Sequence, residues 1–312
     1  LLTHFFKDII HFDGKFFSTL KFLVSRPGFL SKEYMAGRRA SYLNPVKMYV
    51  FTSAIFFLVF FTFSKITDNE IGNTTINGKT STEIEKMDSL HFADFTREIN
   101  REDKKPDVPM SRAEFKRYKD SAYENTGIRF TTKLYGSKAE YDSVLKSGKK
   151  NHNWLQRQLI YKQIEVNKKF NNNSKLILKS FVDTLLHSLP QMLFVSLPLF
   201  AVLLMLLYIR RKDLYYVDHL IFTVHFYIFS FIVMFVMYWI SKLNGTLDWG
   251  FLKLLNFLIF LGMLFYEYKA MRKFYLQGRA KTILKFILLN FIFLIFLAII
   301  FFMFIVFSFF KI

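Results

Sequence analysis

Long apolar stretches alternate with strongly polar ones along this chain. Five of the apolar stretches are candidates for membrane-spanning helices, because a helix of about 20 apolar residues crosses the hydrocarbon core of a bilayer. They are Val46–Phe63, Leu189–Ile209, His219–Ile240, Leu254–Tyr268 and Ile283–Phe310. The fourth is short, and the fifth is longer than a bilayer requires. The pattern predicts a mainly α, polytopic membrane helical bundle with about five transmembrane helices.

The segment ahead of the first span has a different pattern. In Leu1–Val24, apolar residues recur with helical spacing on one face and charged residues on the opposite face. Arg26-Pro27-Gly28 ends this helix, and Phe29–Ala36 is predicted to form a short second one. We interpret residues 1–45 as basic amphipathic helices at the cytoplasmic membrane interface. A soluble helical hairpin packed on the rest of the chain is the alternative.

The remaining chain divides by polarity. Residues 46–64 form the first predicted transmembrane helix. Residues 65–180 are rich in Asn, Asp, Lys, Glu, Ser and Thr, and they predict a small, mainly helical extramembrane domain in which Ile128–Tyr135 is a candidate strand. Residues 181–312 carry transmembrane helices 2–5, with a turn predicted at Asn244-Gly245-Thr246 before the fourth span.

Composition removes some classes of function. The chain is 52% hydrophobic and contains 41 Phe, more than a soluble domain needs in uninterrupted blocks. A net charge of +19 would suit a nucleic-acid-binding protein, but the basic residues flank apolar stretches as membrane anchors do, so no nucleic-acid partner is predicted. The absence of cysteine excludes disulfides, thiolate metal sites and cysteine nucleophiles. Because the first residue is Leu rather than Met, we expect the true N-terminus to be missing.

The basic residues also predict an orientation. If the five spans alternate, seventeen Lys and Arg residues fall on one side, against three on the other when the long polar domain is left out. The seventeen are Lys7, Lys15, Lys21, Arg26, Lys32, Arg38, Arg39, Lys47, Arg210, Arg211, Lys212, Lys269, Arg272, Lys273, Arg279, Lys281 and Lys285. Short loops rich in Lys and Arg stay in the cytoplasm. We therefore predict a cytoplasmic N-terminus, with the polar domain and the C-terminus on the outer side.

Several short motifs resemble one known family. They are Phe12-Asp13-Gly14-Lys15-Phe16, Arg26-Pro27-Gly28-Phe29, Glu33-Tyr34-Met35-Ala36-Gly37-Arg38-Arg39, Tyr42-Leu43-Asn44-Pro45, Asp218-His219-Leu220 and Arg272-Lys273-Phe274-Tyr275. They are similar to blocks of a bacterial membrane-protein family catalogued as domain of unknown function 3667. The resemblance implies this membrane architecture and a bacterial inner membrane, and it supplies no activity. Many members carry a zinc-ribbon-like cysteine cluster ahead of this region. The sequence contains no cysteine, either through loss of that cluster or because the missing N-terminus held it.

Four ionisable residues stand out in or beside the spans: Asp218, His219, His225 and Glu267. Such groups are costly in a bilayer and tend to be functional or mutually paired. We predict that they converge into one polar cluster, with Glu267 orienting at least one histidine. In the alternative, Asp218 and His219 cap and anchor their helix, and Glu267 pairs with Lys269 or Arg272. The spacing of the two histidines does not favour a metal site on this helix alone.

Other polar residues have simpler interpretations. Five arginines are candidate contacts for anionic lipid headgroups: Arg26, Arg38, Arg39, Arg210 and Arg211. His4, Asp8 and His11 share a helical face that solvation explains better than a metal, and Asp183 with His187 suits interfacial anchoring. Asn256 and Asn290 are predicted to form interhelical hydrogen bonds. We predict no metal site and no cofactor.

The sequence leaves three classes of function open. Walker, GxGxxG, GxSxG and HExxH motifs are absent, which argues against an ATPase, a dinucleotide enzyme or a serine hydrolase. A non-catalytic envelope scaffold or accessory subunit fits best, with an envelope protein or a second copy binding through residues 65–180. A transporter or channel for a small solute, ion or lipid is the alternative, and a membrane-embedded lipid-modifying enzyme is the third.

Overall fold

The computed structural model describes residues 15–63, 79, 81–121, 127–129, 135–148 and 151–312. Their regular structure is helical, as predicted. The α-helices among these residues are α1 (Lys15–Ser25), α2 (Phe29–Met35), α3 (Pro45–Phe63), α4 (Ser81–Glu85), α5 (Ser89–Glu102), α6 (Arg112–Ser121), α7 (Lys138–Lys146), α8 (Trp154–Lys169), α9 (Ser174–His187), α10 (Leu189–Leu207), α11 (Tyr216–Leu247), α12 (Gly250–Tyr275) and α13 (Arg279–Lys311). A 3₁₀ turn, Arg39–Ser41, precedes α3.

The chain divides into two compact units. The first, called the membrane unit, comprises the described residues within Leu1–Ser64 and Leu189–Met303. The second, called the polar unit, comprises those within Lys65–Ser188 and Phe304–Ile312. The described part of the polar insertion therefore belongs to the second unit, together with residues 181–188 and the last residues of the chain.

Five helical stretches of the described chain are long and apolar enough to cross a membrane. They are Arg39–Phe63, Leu189–Leu207, Tyr216–Leu247, Gly250–Tyr275 and Arg279–Lys311. They confirm the five spans predicted from the sequence and are compatible with a multi-pass membrane protein.

Two predicted boundaries are wrong. Helix α11 continues to Leu247 through residues 244–246, where a turn was predicted, and the chain reverses at Asp248, whose φ of 45° is left-handed. Helix α12 begins at Gly250 and ends at Tyr275 rather than Tyr268. The backbone hydrogen bonds of a helix continue past charged side chains, so counting apolar residues underestimates its length.

Helix α11 lies at the centre of the membrane unit. It packs against α3, α10, α12 and the two short helices α1 and α2, and it is the most buried of the five spans. Aromatic side chains fill its contacts. Phe231 lies 5.5–5.9 Å from the ring centroids of Tyr49, Phe56 and Phe57, and Phe229 stacks on Tyr266 at 3.5 Å. Offset and edge-on aromatic contacts add to the energy of area burial.

The helices α1 and α2 form a hairpin that packs on α11 and α12. Leu23 and Leu30 are buried, and the hydroxyl of Tyr266 donates to the backbone carbonyl of Leu23 at 2.5 Å. At Gly28, φ is 71° and an added Cβ would lie 2.7 Å from the carbonyl oxygen of Ala270. The described part of residues 1–45 therefore packs on the helical bundle, and its position at the membrane interface stays a prediction. Residues 1–14 of the predicted amphipathic helix lie outside the described residues.

The polar unit contains two small cores. One gathers Phe92, Phe95, Phe115 and their neighbours from α4–α6, and the other gathers Tyr141, Ile160 and theirs from α7 and α8. The described residues at 128, 129 and 135 are not in a strand, and the rest of the predicted strand lies outside the described residues.

Candidate functional site

Asp218 and His219 lie at the start of α11 and are both buried. The Asp218 carboxylate accepts a hydrogen bond from the backbone N–H of Tyr215 at 2.7 Å, which satisfies one free donor at this helix end. The Nδ1 atom of His219 lies 2.7 Å from the hydroxyl of Tyr275 at the end of α12. These two residues therefore fix how α11 begins and where α12 ends, which agrees with the anchoring alternative.

Tyr275 is the centre of a layered arrangement that the sequence did not predict. Its ring stacks on Tyr208 at 3.6 Å between centroids, and the Nζ of Lys285 lies 3.7 Å from the Tyr208 centroid. Arg211 donates to the backbone carbonyl of Tyr275 at 3.1 Å. The loop after α10, the start of α11, the end of α12 and the start of α13 therefore meet at one end of the membrane unit.

His225 lies two turns further along α11 and binds elsewhere. Its Nδ1 atom is 3.1 Å from the hydroxyl of Ser31 on α2 and 2.9 Å from the carbonyl oxygen of Ile221, one turn earlier in its own helix. The ring is buried and does not face lipid. His225 thus connects the α1–α2 hairpin to the central helix.

Glu267 contacts neither histidine. Its Oε2 accepts a hydrogen bond from the side-chain amide of Asn290 on α13 at 3.2 Å, and its Oε1 is buried without a partner. Among the described residues, no hydrogen bond or ion pair joins any two of Asp218, His219, His225 and Glu267, and no group of three acidic or histidine residues has metal-binding geometry. The predicted direct contact between Glu267 and a histidine is therefore wrong, and so is the alternative pairing with Lys269 or Arg272, because Asn290 is the partner of Glu267 in the described part of the chain.

The remaining polar residues singled out in the sequence have the following contacts. Asn290 bonds from α13 to α12, and Asn256 on α12 donates to the hydroxyl of Ser241 on α11 at 2.8 Å. Both interhelical bonds are confirmed. Asp183 and His187 approach to 3.6 Å on an exposed face of α9. His4, Asp8 and His11 lie outside the described residues.

The five arginines proposed for lipid headgroups have different surroundings. Arg38 forms a two-pronged contact with the Glu33 carboxylate, and this hydrogen bonding lowers the pKa of Glu33. The guanidinium of Arg211 likewise donates two hydrogen bonds to the Asp213 carboxylate, at 2.9 and 2.8 Å. This hydrogen bonding lowers the pKa of Asp213 to about 2. The charges of Arg38 and Arg211 are thus already balanced by carboxylates. Their contact with lipid headgroups stays a prediction.

Arg26, Arg39 and Arg210 remain exposed. The guanidinium of Arg39 lies 5.0 Å from the centroid of the Tyr34 ring. Arg26 lies 5.0 Å from the Phe22 centroid and 5.6 Å from that of Phe29. Such cation–π contacts hold a guanidinium in place without neutralising it.

Arg26 also forms part of a basic cleft. This cleft, of about 380 Å³, lies between the α1–α2 turn and the last turns of α12. It is lined by Ser25, Arg26, Pro27, Lys269, Arg272 and Lys273. In the sequence these α12 cations predicted orientation, and a site there was missed. Their spacing of i, i+3 and i+4 was the available signal, since it places them on one helix face.

Residues 13–57 match the family described as "Protein of unknown function (DUF3667)". This confirms, for that segment, the resemblance inferred from the motifs. No curated protein and no solved structure matches the chain.

The matched segment covers the α1–α2 hairpin, its junction with α3 and most of α3. At the junction, the Asn44 side chain accepts from the backbone N–H groups of Val46 and Lys47 at 2.9 and 3.3 Å, which caps α3. The Thr19 hydroxyl of α1 accepts from the N–H of Leu43 at 3.1 Å. Gly28 and Arg26 lie in the same segment. The family match thus coincides with the part of the chain that packs over the end of α12.

Proposed function

We propose that this chain is a non-catalytic integral membrane protein of the bacterial envelope, acting as a scaffold or accessory subunit. Its five apolar helices are those of a membrane protein. The proposal rests on the hydrogen-bond partners of the buried polar side chains in the membrane unit. His219, His225 and Glu267 each bond to a neighbouring helix of the same chain.

This pattern favours a structural role over transport or catalysis. A transporter or an enzyme needs its polar residues to face a cavity that substrate or water can enter. Neither the basic cleft nor an apolar groove between α1, α3 and α11 is lined by Asp218, His219, His225 or Glu267. Hydrogen bonds between membrane helices instead fix how the helices pack.

We further propose an inner-membrane orientation with the N-terminus in the cytoplasm. Contacts within the membrane unit support placing the basic segments on one side: Arg211 bonds to Tyr275, and Gly28 packs on Ala270. Within the polar unit, Lys169 donates to the backbone carbonyl of Ile312. This contact favours a C-terminus on the same side as residues 65–180, as five crossings require.

The proposed partners follow from this arrangement. Anionic lipids of the cytoplasmic leaflet would contact the end of the membrane unit at which α12 ends, called here the basic end. An envelope protein or a second copy would bind residues 65–180, whose described part contains two hydrophobic cores of its own.

Histidine accessibility tests the proposal. The full chain in detergent would be treated with diethyl pyrocarbonate at neutral pH, and each histidine followed by peptide mass spectrometry. We expect rapid modification of His91, whose side chain is 78% exposed, and protection of His219 and His225 until the protein is unfolded. Modification of either buried histidine at the rate of His91 would reveal a path for water and favour transport or catalysis.

A further inference from the structure

We infer that the basic cleft between the α1–α2 turn and α12 binds the phosphate group of an anionic ligand. The inference deepens the proposed contact with anionic lipids and rests on the proposed function only in placing α12 across a bilayer. It assigns the site to Arg26, Lys269, Arg272 and Lys273.

The composition of the cleft walls is the first argument. Four of the six lining residues are cations and none is acidic. In the described part of the chain, none of these four cations forms an ion pair with a carboxylate, whereas Arg38 and Arg211 each do. Like charges held close together repel one another, and a bound anion relieves that repulsion.

The walls are also held in place, which is the second argument. Arg26 lies 5.6 Å from the centroid of the Phe29 ring, and Lys273 lies 5.4 Å from the same centroid. One ring therefore brings cations from both walls together. The contact of Gly28 with the Ala270 backbone sets the distance between the turn and the helix. A preformed site of this kind loses little conformational entropy on binding.

The chemistry of the side chains points to phosphate. The planar fork of a guanidinium matches two phosphate oxygens, and lysine supplies a compact charge beside it. A volume of about 380 Å³ falls within the usual range of small-ligand sites, roughly 300–1,000 Å³. The cleft adjoins the last turns of a spanning helix, which is the depth of lipid headgroups. A phospholipid headgroup and a soluble phosphate ester share this chemistry.

The test uses the full chain purified in an uncharged detergent. Its thermal unfolding midpoint would be followed while phosphatidylglycerol, phosphatidylcholine, inorganic phosphate or glycerol 3-phosphate is added at constant ionic strength. The cleft variant is Arg26→Gln with Lys273→Gln. The matched control is Lys212→Gln with Lys281→Gln, which removes the same charge from exposed residues that do not line the cleft.

We expect phosphatidylglycerol to stabilise the wild type and the control more than phosphatidylcholine does. The cleft variant should bind about tenfold more weakly or worse, since it loses two charged contacts. Stabilisation by phosphatidylglycerol alone would identify a lipid headgroup, whereas stabilisation by inorganic phosphate or glycerol 3-phosphate would identify a soluble ligand. If the cleft variant does not fold, Lys269→Gln with Arg272→Gln replaces it.

Two results would overturn the inference. One is a wild-type protein whose unfolding midpoint rises no more with phosphatidylglycerol, inorganic phosphate or glycerol 3-phosphate than with phosphatidylcholine. The other is an equal loss of binding in the cleft variant and the control, which would reflect overall charge rather than this cleft. Either result leaves the proposed scaffold role standing, because that role is tested by the accessibility of His219 and His225.

Discussion

Charged side chains of the polar unit pair with neighbours on its surface, whereas the polar side chains of the membrane unit bond between helices in its interior. In the polar unit, Arg101 meets Asp107 at 2.6 Å with both side chains largely exposed. In the membrane unit, buried Ser196 and Tyr227 join α10 to α11 at 2.9 Å. Exposed ion pairs contribute about 0–1 kcal/mol. In the hydrocarbon core of a bilayer, no water can replace a lost hydrogen-bond partner. A polar side chain there must therefore keep its partner on the neighbouring helix, which fixes how the two helices pack.

The basic end of the membrane unit follows neither pattern. The cations of its cleft are exposed like those of the polar unit, yet among the described residues no carboxylate balances Arg26, Lys269, Arg272 or Lys273. The cleft therefore gathers four cations that have no carboxylate partner among the described residues. That is the physical basis for the inferred phosphate site.

The largest effect is expected in the labelling of single cysteines placed on opposite sides of the membrane. The chain has no cysteine, and a Cβ at Gly278 or Gly136 meets no close contact, so Gly278→Cys and Gly136→Cys introduce single probes. In intact cells, an impermeant thiol reagent should label Gly136→Cys and leave Gly278→Cys unlabelled until the membrane is permeabilised. Labelling at position 278 alone would reverse the proposed orientation.

The second prediction separates the stability of the two units. Phe115 packs edge-on against Phe92 at 5.6 Å in a small core, so Phe115→Ala should cost about 3–5 kcal/mol. Hydrogen exchange of the full chain should show faster exchange in α5 and α6, with α11 unchanged. Leu90→Ala, at a side chain that is 79% exposed, is the control. Equal acceleration in α11 would mean that the two units unfold together.

The third prediction concerns the attachment of the hairpin. Gly28 and Gly37 both have positive φ, but only Gly28 has backbone close to where a Cβ would lie. Alanine at either position adds left-handed strain of roughly 1–2 kcal/mol, and Gly28→Ala adds a further 1–3 kcal/mol or so for overpacking. Thermal unfolding in detergent should show the larger loss for Gly28→Ala. Equal losses of stability would show that the hairpin shifts to accommodate the added Cβ at position 28 without an overpacking penalty.

The smallest effect is expected at the polar bonds between spans. Asn290→Ala leaves the buried Glu267 carboxylate without its donor and should cost about 1–3 kcal/mol. Asn256→Ala breaks a bond in a more exposed setting, and about 0.6 kcal/mol is expected. Unfolding in mixed detergent micelles measures both. A loss for Asn256→Ala as large as that for Asn290→Ala would contradict a structural role for the Glu267 contact.

Part of the candidate site was predictable from residue types. Ionisable residues in apolar stretches are rare, so Asp218, His219, His225 and Glu267 were conspicuous, and all four are buried. Their partners were not predictable. Ser31 lies 194 residues from His225 in the chain, and a serine in a polar segment has no pattern that marks it. The two asparagines were predicted correctly because an amide inside a spanning helix has few partners other than a neighbouring helix.

The number and approximate position of the spans, the polar insertion and the asymmetry of basic residues could all be read from the amino-acid sequence. Hydrophobic length and charge are local properties, and the bilayer selects on them directly. Three features needed the folded chain: α11 is the central helix, Glu267 bonds to Asn290 rather than to a histidine, and Arg26 lies across a cleft from Lys273. These contacts depend on which helix faces turn toward each other, and packing settles that through side chains far apart in the chain.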